Sequence, residues 1–166
     1  MNQKIIFLNG TSSSGKTSIA KELLKLNTYL YLSIDDFINK QHSETLKDRN
    51  KLKTYFPKII SKFHKAIKDT SDKGDSLIID HVLEKPEWYK ECKEVLKDKP
   101  VVWVFVTAPL KELERREANR KDRNAGLAKI QYEIVYKDYV YDIQIDTSST
   151  TSKEATIKIE NYTKER

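Results

Sequence analysis

The chain has 166 residues, 38% of them hydrophobic, which is enough to bury the core of one domain, residues 1–166, without disulfide staples. A single cysteine, Cys92, excludes an internal disulfide and fits a reducing cytoplasm. No N-terminal run is long enough for a signal peptide, and nothing approaches a membrane span.

The formal charge is +6 and the sequence pI about 9.2, a balance that suits phosphate-bearing partners. The lysines are scattered along helix-like stretches and no aromatic-and-basic RNA signature appears, so nucleic acid is the minority expectation.

In chain order, residues 4–9 form a short apolar strand. Residues 18–26 follow as a helix with Ile19, Leu23 and Leu26 on one stripe. Residues 29–34 read as a second strand ending at Asp35-Asp36. From 44 to 68, Leu46, Leu52, Phe56, Ile59, Ile60, Phe63 and Ile67 recur at helical spacing, and Pro57 is expected to start or kink a helix there. Gly74-Asp75 is a turn before a buried third strand at 77–80.

Residues 86–96 are helical, with Pro86 in the first turn and Cys92 expected to pack. The fourth strand, 101–106, is apolar throughout, as a strand covered on both faces should be. Pro109 opens a helix through an arginine cluster. A helix over 127–136, a fifth strand over 141–146, and a closing helix begun by the capping box Thr151-x-x-Glu154 complete the chain. Ala155, Ile159 and Tyr162 stripe that last helix. Strands alternating with helices predict an α/β domain of three layers around a five-stranded parallel sheet, with ligands collected at the carboxyl ends of the strands.

The stretch between the first strand and the first helix is Gly10-Thr11-Ser12-Ser13-Ser14-Gly15-Lys16-Thr17, a complete G-x-x-x-x-G-K-[ST] in the strand–loop–helix context that a phosphate-binding P-loop requires. The chain has only four glycines and two of them fall on the required positions, which argues against chance. Gly10 is expected to let the chain leave the strand in a tight turn and Gly15 to let the backbone approach an anion. Amides from Ser12 to Ser18 then surround the phosphates of ATP, helped by the helix dipole. Lys16 reaches the β- and γ-phosphates and Thr17 offers its hydroxyl to Mg²⁺.

Phosphoryl transfer to an alcohol also asks for a carboxylate near the attacking hydroxyl. Asp35, at the end of the second strand, is the candidate, with Asp36 as the cap of the following helix. Asp80 ends the third strand as a Walker-B acid would, as a candidate Mg²⁺ partner. His81 reads as a local hydrogen-bonding residue, and His42 and His64 carry no constellation. Four of the six arginines are Arg115, Arg116, Arg120 and Arg123. The last three, at i, i+4, i+7, would share one helix face, and Gly126 beyond them provides a hinge. Such a face suits a lid at about 115–130 that closes on ATP, since guanidinium forks grip phosphate oxygens in pairs. Arg115 lies off that face.

These residues resemble those of the chloramphenicol phosphotransferases. The marks are Ile6-Phe7-Leu8-Asn9-Gly10 running into Ser12-Ser13-Ser14-Gly15-Lys16, then Ile34-Asp35, Ile78-Ile79-Asp80 and Trp103. The most specific is Arg116-Glu117-Ala118-x-Arg120-x-Asp122-Arg123, continuing through Gly126, Gln131, Tyr141-Asp142 and Asp146-Thr147. The resemblance implies a P-loop kinase fold that moves the γ-phosphate of ATP to a primary hydroxyl of the antibiotic. It implies Asp35 as base, Lys16 and Thr17 as phosphate and magnesium partners, and Arg120 and Arg123 as lid contacts. Residues 40–75 depart from the family pattern, as do Tyr136 and Asp138, so the acceptor is expected to be chloramphenicol, another small alcohol or a phosphorylated metabolite.

Two other functions fit the P-loop. One is a nucleoside, nucleotide or polynucleotide 5′-kinase using the lysines between Glu44 and Lys73. The other is a nucleotide-binding module with little turnover, against which the cis arginines argue. The sequence is compatible with a homo-oligomer and contains no feature for a membrane partner.

Overall fold

The computed structural model describes the backbone of residues 3–26, 28–46, 49–120, 126–135 and 139–165, and their side chains apart from 41–46 and 49–53. Five strands, β1 (Ile5–Asn9), β2 (Leu30–Ser33), β3 (Leu77–His81), β4 (Val101–Thr107) and β5 (Ile143–Asp146), form one sheet in the order β2-β3-β1-β4-β5. Every pairing is parallel. β1, β3 and the first four residues of β4 are buried, which explains their unbroken apolar runs.

The described residues form seven helices: α1 (Lys16–Leu26), α2 (Ile34–Leu46), α3 (Arg49–Ser71), α4 (Pro86–Val95), α5 (Leu110–Ala118), α6 (Leu127–Ile134) and α7 (Ser152–Lys164). Because side chains alternate along a strand, the sheet feeds two cores. On one face Ile5, Phe7, Leu77, Ile79 and Trp103 pack with Ile59, Ile60, Phe63 and Ile67 of α3 and Trp88 and Cys92 of α4. On the other, Ile6, Leu8, Ile78, Val102 and Val104 pack with Ile19 and Leu23 of α1 and Ala155 and Ile159 of α7. Each fully buried large side chain contributes about 1.5–3 kcal/mol. Among the described residues no helix is long and apolar enough to cross a membrane.

Several sequence expectations are corrected. Strand β2 stops at Ser33, so Asp35 and Asp36 lie in the first turn of α2. The Ser33 hydroxyl accepts from the Asp36 N–H at 3.4 Å, so Ser33, one residue before the helix, does the capping expected of Asp36. Pro57 sits inside α3, so of the two expectations for it, starting or kinking a helix, the start is excluded. Leu26, the last residue of α1, is 56% exposed and does not join the buried stripe of Ile19 and Leu23. Strand β5 starts at Ile143. Before it, Asp142 exchanges its own N–H to the Trp103 carbonyl (2.9 Å) for the Trp103 N–H to its carboxylate (2.8 Å).

The arginine face is also changed. Helix α5 ends at Ala118, and Asn119 forms its C-cap. Glu117 explains the break, since its carboxylate accepts from the N–H groups of Gly126 and Ala128, both at 2.8 Å. That carboxylate fastens the start of α6 to α5 by bonding orphan amides of the new helix. Arg120 therefore follows a helix end and does not continue the face of Arg116, and Arg123 lies outside the described residues.

Candidate active site

The parallel register brings the carboxyl ends of the strands level: Asp80 lies beside Leu8 and Ser33, His81 beside Asn9, and Asn9 beside Phe105. A cleft of about 1340 Å³ opens at this edge, where a parallel α/β sheet collects ligands. Ser12 to Ser18, Asp35, Asp80, Arg116 and Arg120 all line it, so these sequence candidates meet in one place.

The loop between β1 and α1 is shaped for an anion. Ser13 has φ 63° and Gly15 φ 100°, left-handed backbone that turns successive amides towards one point. A left-handed serine costs about 1–3 kcal/mol unless its surroundings hold it. Gly10 serves a different purpose from the expected turn. A Cβ there would lie 2.1 Å from the Val106 carbonyl oxygen, so Gly10 is required by the close passage of β4. Among the described residues, the buried hydroxyls of Ser12, Ser13 and Ser14 have no hydrogen-bond partner, although buried polar groups are ordinarily bonded.

Lys16 is 7% exposed. Its ammonium donates to the carbonyls of Gly10 (2.8 Å) and Thr11 (3.0 Å) and stands 3.8 Å from Asp80 Oδ1. It therefore places a positive charge inside the loop. Thr17 donates its hydroxyl to Asp80 Oδ2 (2.9 Å), and Tyr31 donates to the same oxygen (3.0 Å). Burial, followed by the charge of Asp80, pushes the Tyr31 phenol well above its ordinary range, so it remains a donor.

Arg116 holds the rim. Its Nε donates to Glu112 (2.7 Å), its Nη1 to Thr147 Oγ1 (2.8 Å) and Ser13 O (3.4 Å), and its Nη2 to Thr147 O (2.9 Å). Arg115 pairs with the same Glu112 carboxylate through two 2.7 Å contacts and is mainly exposed, as expected. Hydrogen bonds from Arg115 and then Arg116 hold the Glu112 carboxyl down at about 2.

Several lining groups had no assigned role in the sequence reading. The Ser12 N–H donates to Gln131 Oε1 (2.6 Å), and Gln131 Nε2 donates to Glu84 Oε1 (2.7 Å). One amide thus joins the loop, α6 and the segment after β3. Gln131 belongs to the family-like block, but its role needed the fold to bring residues 12, 84 and 131 together. His64 also gains a constellation: its Nε2 lies 3.0 Å from His81 Nε2 and its Nδ1 2.8 Å from Glu91 Oε2. Residues 17 and 27 positions apart in the chain offer no spacing signal for such a group.

A parallel 2-3-1-4-5 sheet, with a glycine loop after its central strand and an acid at the end of its neighbour, defines the chain as a P-loop kinase in fold. The chain belongs to the chloramphenicol phosphotransferase-like family, whose model matches residues 3–164. A Mycobacterium tuberculosis (strain ATCC 25618 / H37Rv) protein named "Putative O-phosphotransferase Rv2636" is 26% identical over 171 residues, covering 89% of this chain and 76% of that protein. The guanylate kinase of Clostridioides difficile (strain 630) is 26% identical over 177 residues, covering 90% and 83%. Among solved structures, the Mycobacterium tuberculosis APS kinase CysC, in complex with AMPPNP and APS, superposes with a TM-score of 0.73. It shares 16% identity and covers 99% of each chain, a likeness of fold.

Proposed function

We propose that this protein transfers the γ-phosphate of ATP to a hydroxyl of a small molecule, in the manner of chloramphenicol 3-O-phosphotransferase, and so would inactivate an antibiotic of that kind. The observation that carries this reading is the shared cleft. Its P-loop has buried serine hydroxyls without a hydrogen-bond partner among the described residues, and Asp35, Ile38, Phe56, Ile60 and Trp88 line the same cleft. A triphosphate suits the first group, and an alcohol on an apolar frame suits the second.

In the step itself the acceptor oxygen bonds to the γ-phosphorus, the bond from phosphorus to the β–γ bridging oxygen breaks, and ADP leaves. Asp35 takes or orients the hydroxyl proton. Lys16 exchanges its bonds to the Gly10 and Thr11 carbonyls for phosphate oxygens, and Arg116, Arg120 and Arg123 counter the charge that spreads over the transferring group.

The Thr17 hydroxyl and the Asp80 carboxylate are adjacent hard oxygen donors, a set that fits Mg²⁺, which binds through one or two protein groups and the substrate's phosphates. When bound, the ion neutralises phosphate charge. Both reactants and the buried free thiol of Cys92 fit a cytoplasmic protein acting as one domain.

The likeness to a guanylate kinase favours a second reading, in which the acceptor is a nucleotide. Among the described lining residues, however, Asp35 and Asp36 bring carboxylates from the first turn of α2, while the basic groups Lys16, Lys21, Arg115, Arg116 and Arg120 lie on α1 and at the end of α5. Carboxylates repel a phosphorylated acceptor, which favours the neutral alcohol.

Incubation with ATP, magnesium and chloramphenicol tests the reading. ADP release that depends on chloramphenicol, with a product heavier by one phosphoryl group, is expected. ADP release stimulated by GMP and unaffected by chloramphenicol would favour the second reading. Asp35→Asn should keep ATP binding and lose transfer; transfer at the normal rate removes Asp35 from its role.

A further inference from the structure

His81 ends β3 one residue after Asp80, and strand alternation turns the two side chains to opposite faces of the sheet. Asp80 faces α1 with Thr17 and Lys16. His81 faces α3 and α4: it stacks on Trp88 (centroids 6.1 Å apart, 16° between planes) and meets Phe63 edge-on at 5.2 Å. It lines the same cleft as Asp35, Ile60 and Trp88, the group read above as the acceptor's. His81 is 1% exposed, and its Nδ1 has no hydrogen-bond partner among the described residues.

The neighbours of His81 fix which of its nitrogens carries the proton. His64 is fully buried, with its Nδ1 2.8 Å from the Glu91 carboxylate. That contact is off-line for an ideal hydrogen bond, but a bare lone pair so close to a carboxylate would be repulsive, so the proton sits on His64 Nδ1. His64 Nε2 is then the lone pair in a neutral ring, and it lies 3.0 Å from His81 Nε2. Two lone pairs cannot face each other at that distance, so His81 Nε2 carries the second proton and donates it. His81 is buried against the rings of Phe63 and Trp88, and His64 is buried beside it, a setting in which a protonated, charged ring is disfavoured. His81 Nδ1 is left as a buried, unprotonated acceptor with no donor among the described residues, an arrangement whose desolvation is uncompensated until a donor arrives.

We infer that His81 Nδ1 is a recognition site for the phosphate acceptor, which must carry a hydrogen-bond donor, a second hydroxyl or an N–H, in addition to the hydroxyl that is phosphorylated. The inference rests on the small-alcohol kinase reading above and adds a specificity residue to it. His64 and Glu91 act through His81 as positioning residues that keep its Nδ1 free of a proton.

The test uses the whole chain labelled with ¹⁵N-histidine and saturated with AMPPNP, with chloramphenicol as the probe. The free protein should show His81 Nδ1 as the unprotonated nitrogen, and chloramphenicol should move that resonance in the direction of an accepted hydrogen bond. In turnover, His81→Phe should raise the KM for chloramphenicol about 3–10-fold with the KM for ATP unchanged, the size of one neutral hydrogen bond. An O-methyl derivative with its non-reacting hydroxyl blocked should lose affinity for the native protein and not for His81→Phe. Glu91→Ala, a change on the half-exposed end of the chain of contacts, should raise the same KM less.

A proton found on His81 Nδ1 overturns the inference. So does chloramphenicol that is phosphorylated without moving that resonance, in which case the kinase reading stands. If AMPPNP binds and chloramphenicol neither binds nor reacts, the acceptor reading itself fails and the inference falls with it. Should His81→Phe not fold, the resonance measurement on the native chain decides.

Discussion

The Thr17 hydroxyl donates to Asp80 Oδ2 across 2.9 Å, joining the first turn of α1 to the end of β3. This pair puts two hard oxygen donors next to the ammonium of Lys16. If they hold the ion that accompanies ATP, Asp80→Asn should raise the magnesium concentration needed for half-maximal turnover by about ten-fold or more. A titration of turnover against magnesium at saturating ATP checks this; an unchanged midpoint would assign Asp80 to holding Lys16 and Tyr31 alone.

Arg116 spans Glu112, Ser13 and Thr147, a fork geometry that a lysine cannot reproduce. Arg116→Lys should therefore loosen the P-loop rim, raise the KM for ATP several-fold and lower thermal stability. Arg120→Lys should instead reduce kcat with little change in stability, because Arg120 is exposed beyond the end of α5. Melting curves and ATP kinetics on both variants separate the two roles, and equal effects would show that both arginines act through structure.

Gln131 is 4% exposed and bonded at both ends of its amide. Gln131→Leu would strand the Ser12 N–H and the Glu84 carboxylate, a loss of about 1–3 kcal/mol. Urea unfolding should show it as a lowered midpoint with an unchanged slope. A midpoint equal to that of the native chain would mean that water replaces the amide at no cost.

Stability should fall on mild acidification. His64 has a pKa below its ordinary 6.5, burial outweighing the opposing pull of Glu91. As pH drops, the unfolded chain takes up this proton first and is favoured. The contribution is complete above 6.5 and is lost as pH falls towards the lowered folded-state value. Urea midpoints between about pH 7 and pH 5 should decline, and less steeply in His64→Gln. An identical slope in that variant would place the pH dependence elsewhere.

The chain reveals its local features directly. Apolar runs such as Ile5–Asn9 and Val101–Thr107 declare buried parallel strands, because strands covered on both faces have no polar side to alternate. The glycine loop and the Thr151–Glu154 box are legible because their chemistry lies within a few residues; the box is present as read. The parallel sheet and the meeting of Ser12–Ser18, Asp35 and Asp80 at its carboxyl edge follow from that order of elements.

Packing decided the rest. Helix α5 ends before Arg120 because Glu117 turns to the amides of α6, a contact that the arginine periodicity does not encode. Gly10 is required by the Val106 carbonyl, which only the pairing of β1 with β4 brings within reach. His64 and His81, and likewise Ser12, Glu84 and Gln131, meet because the sheet aligns distant segments at one edge. Spacing along a chain reports neighbours within a helix or a loop, whereas contacts between elements exist only once the core has fixed where each element lies.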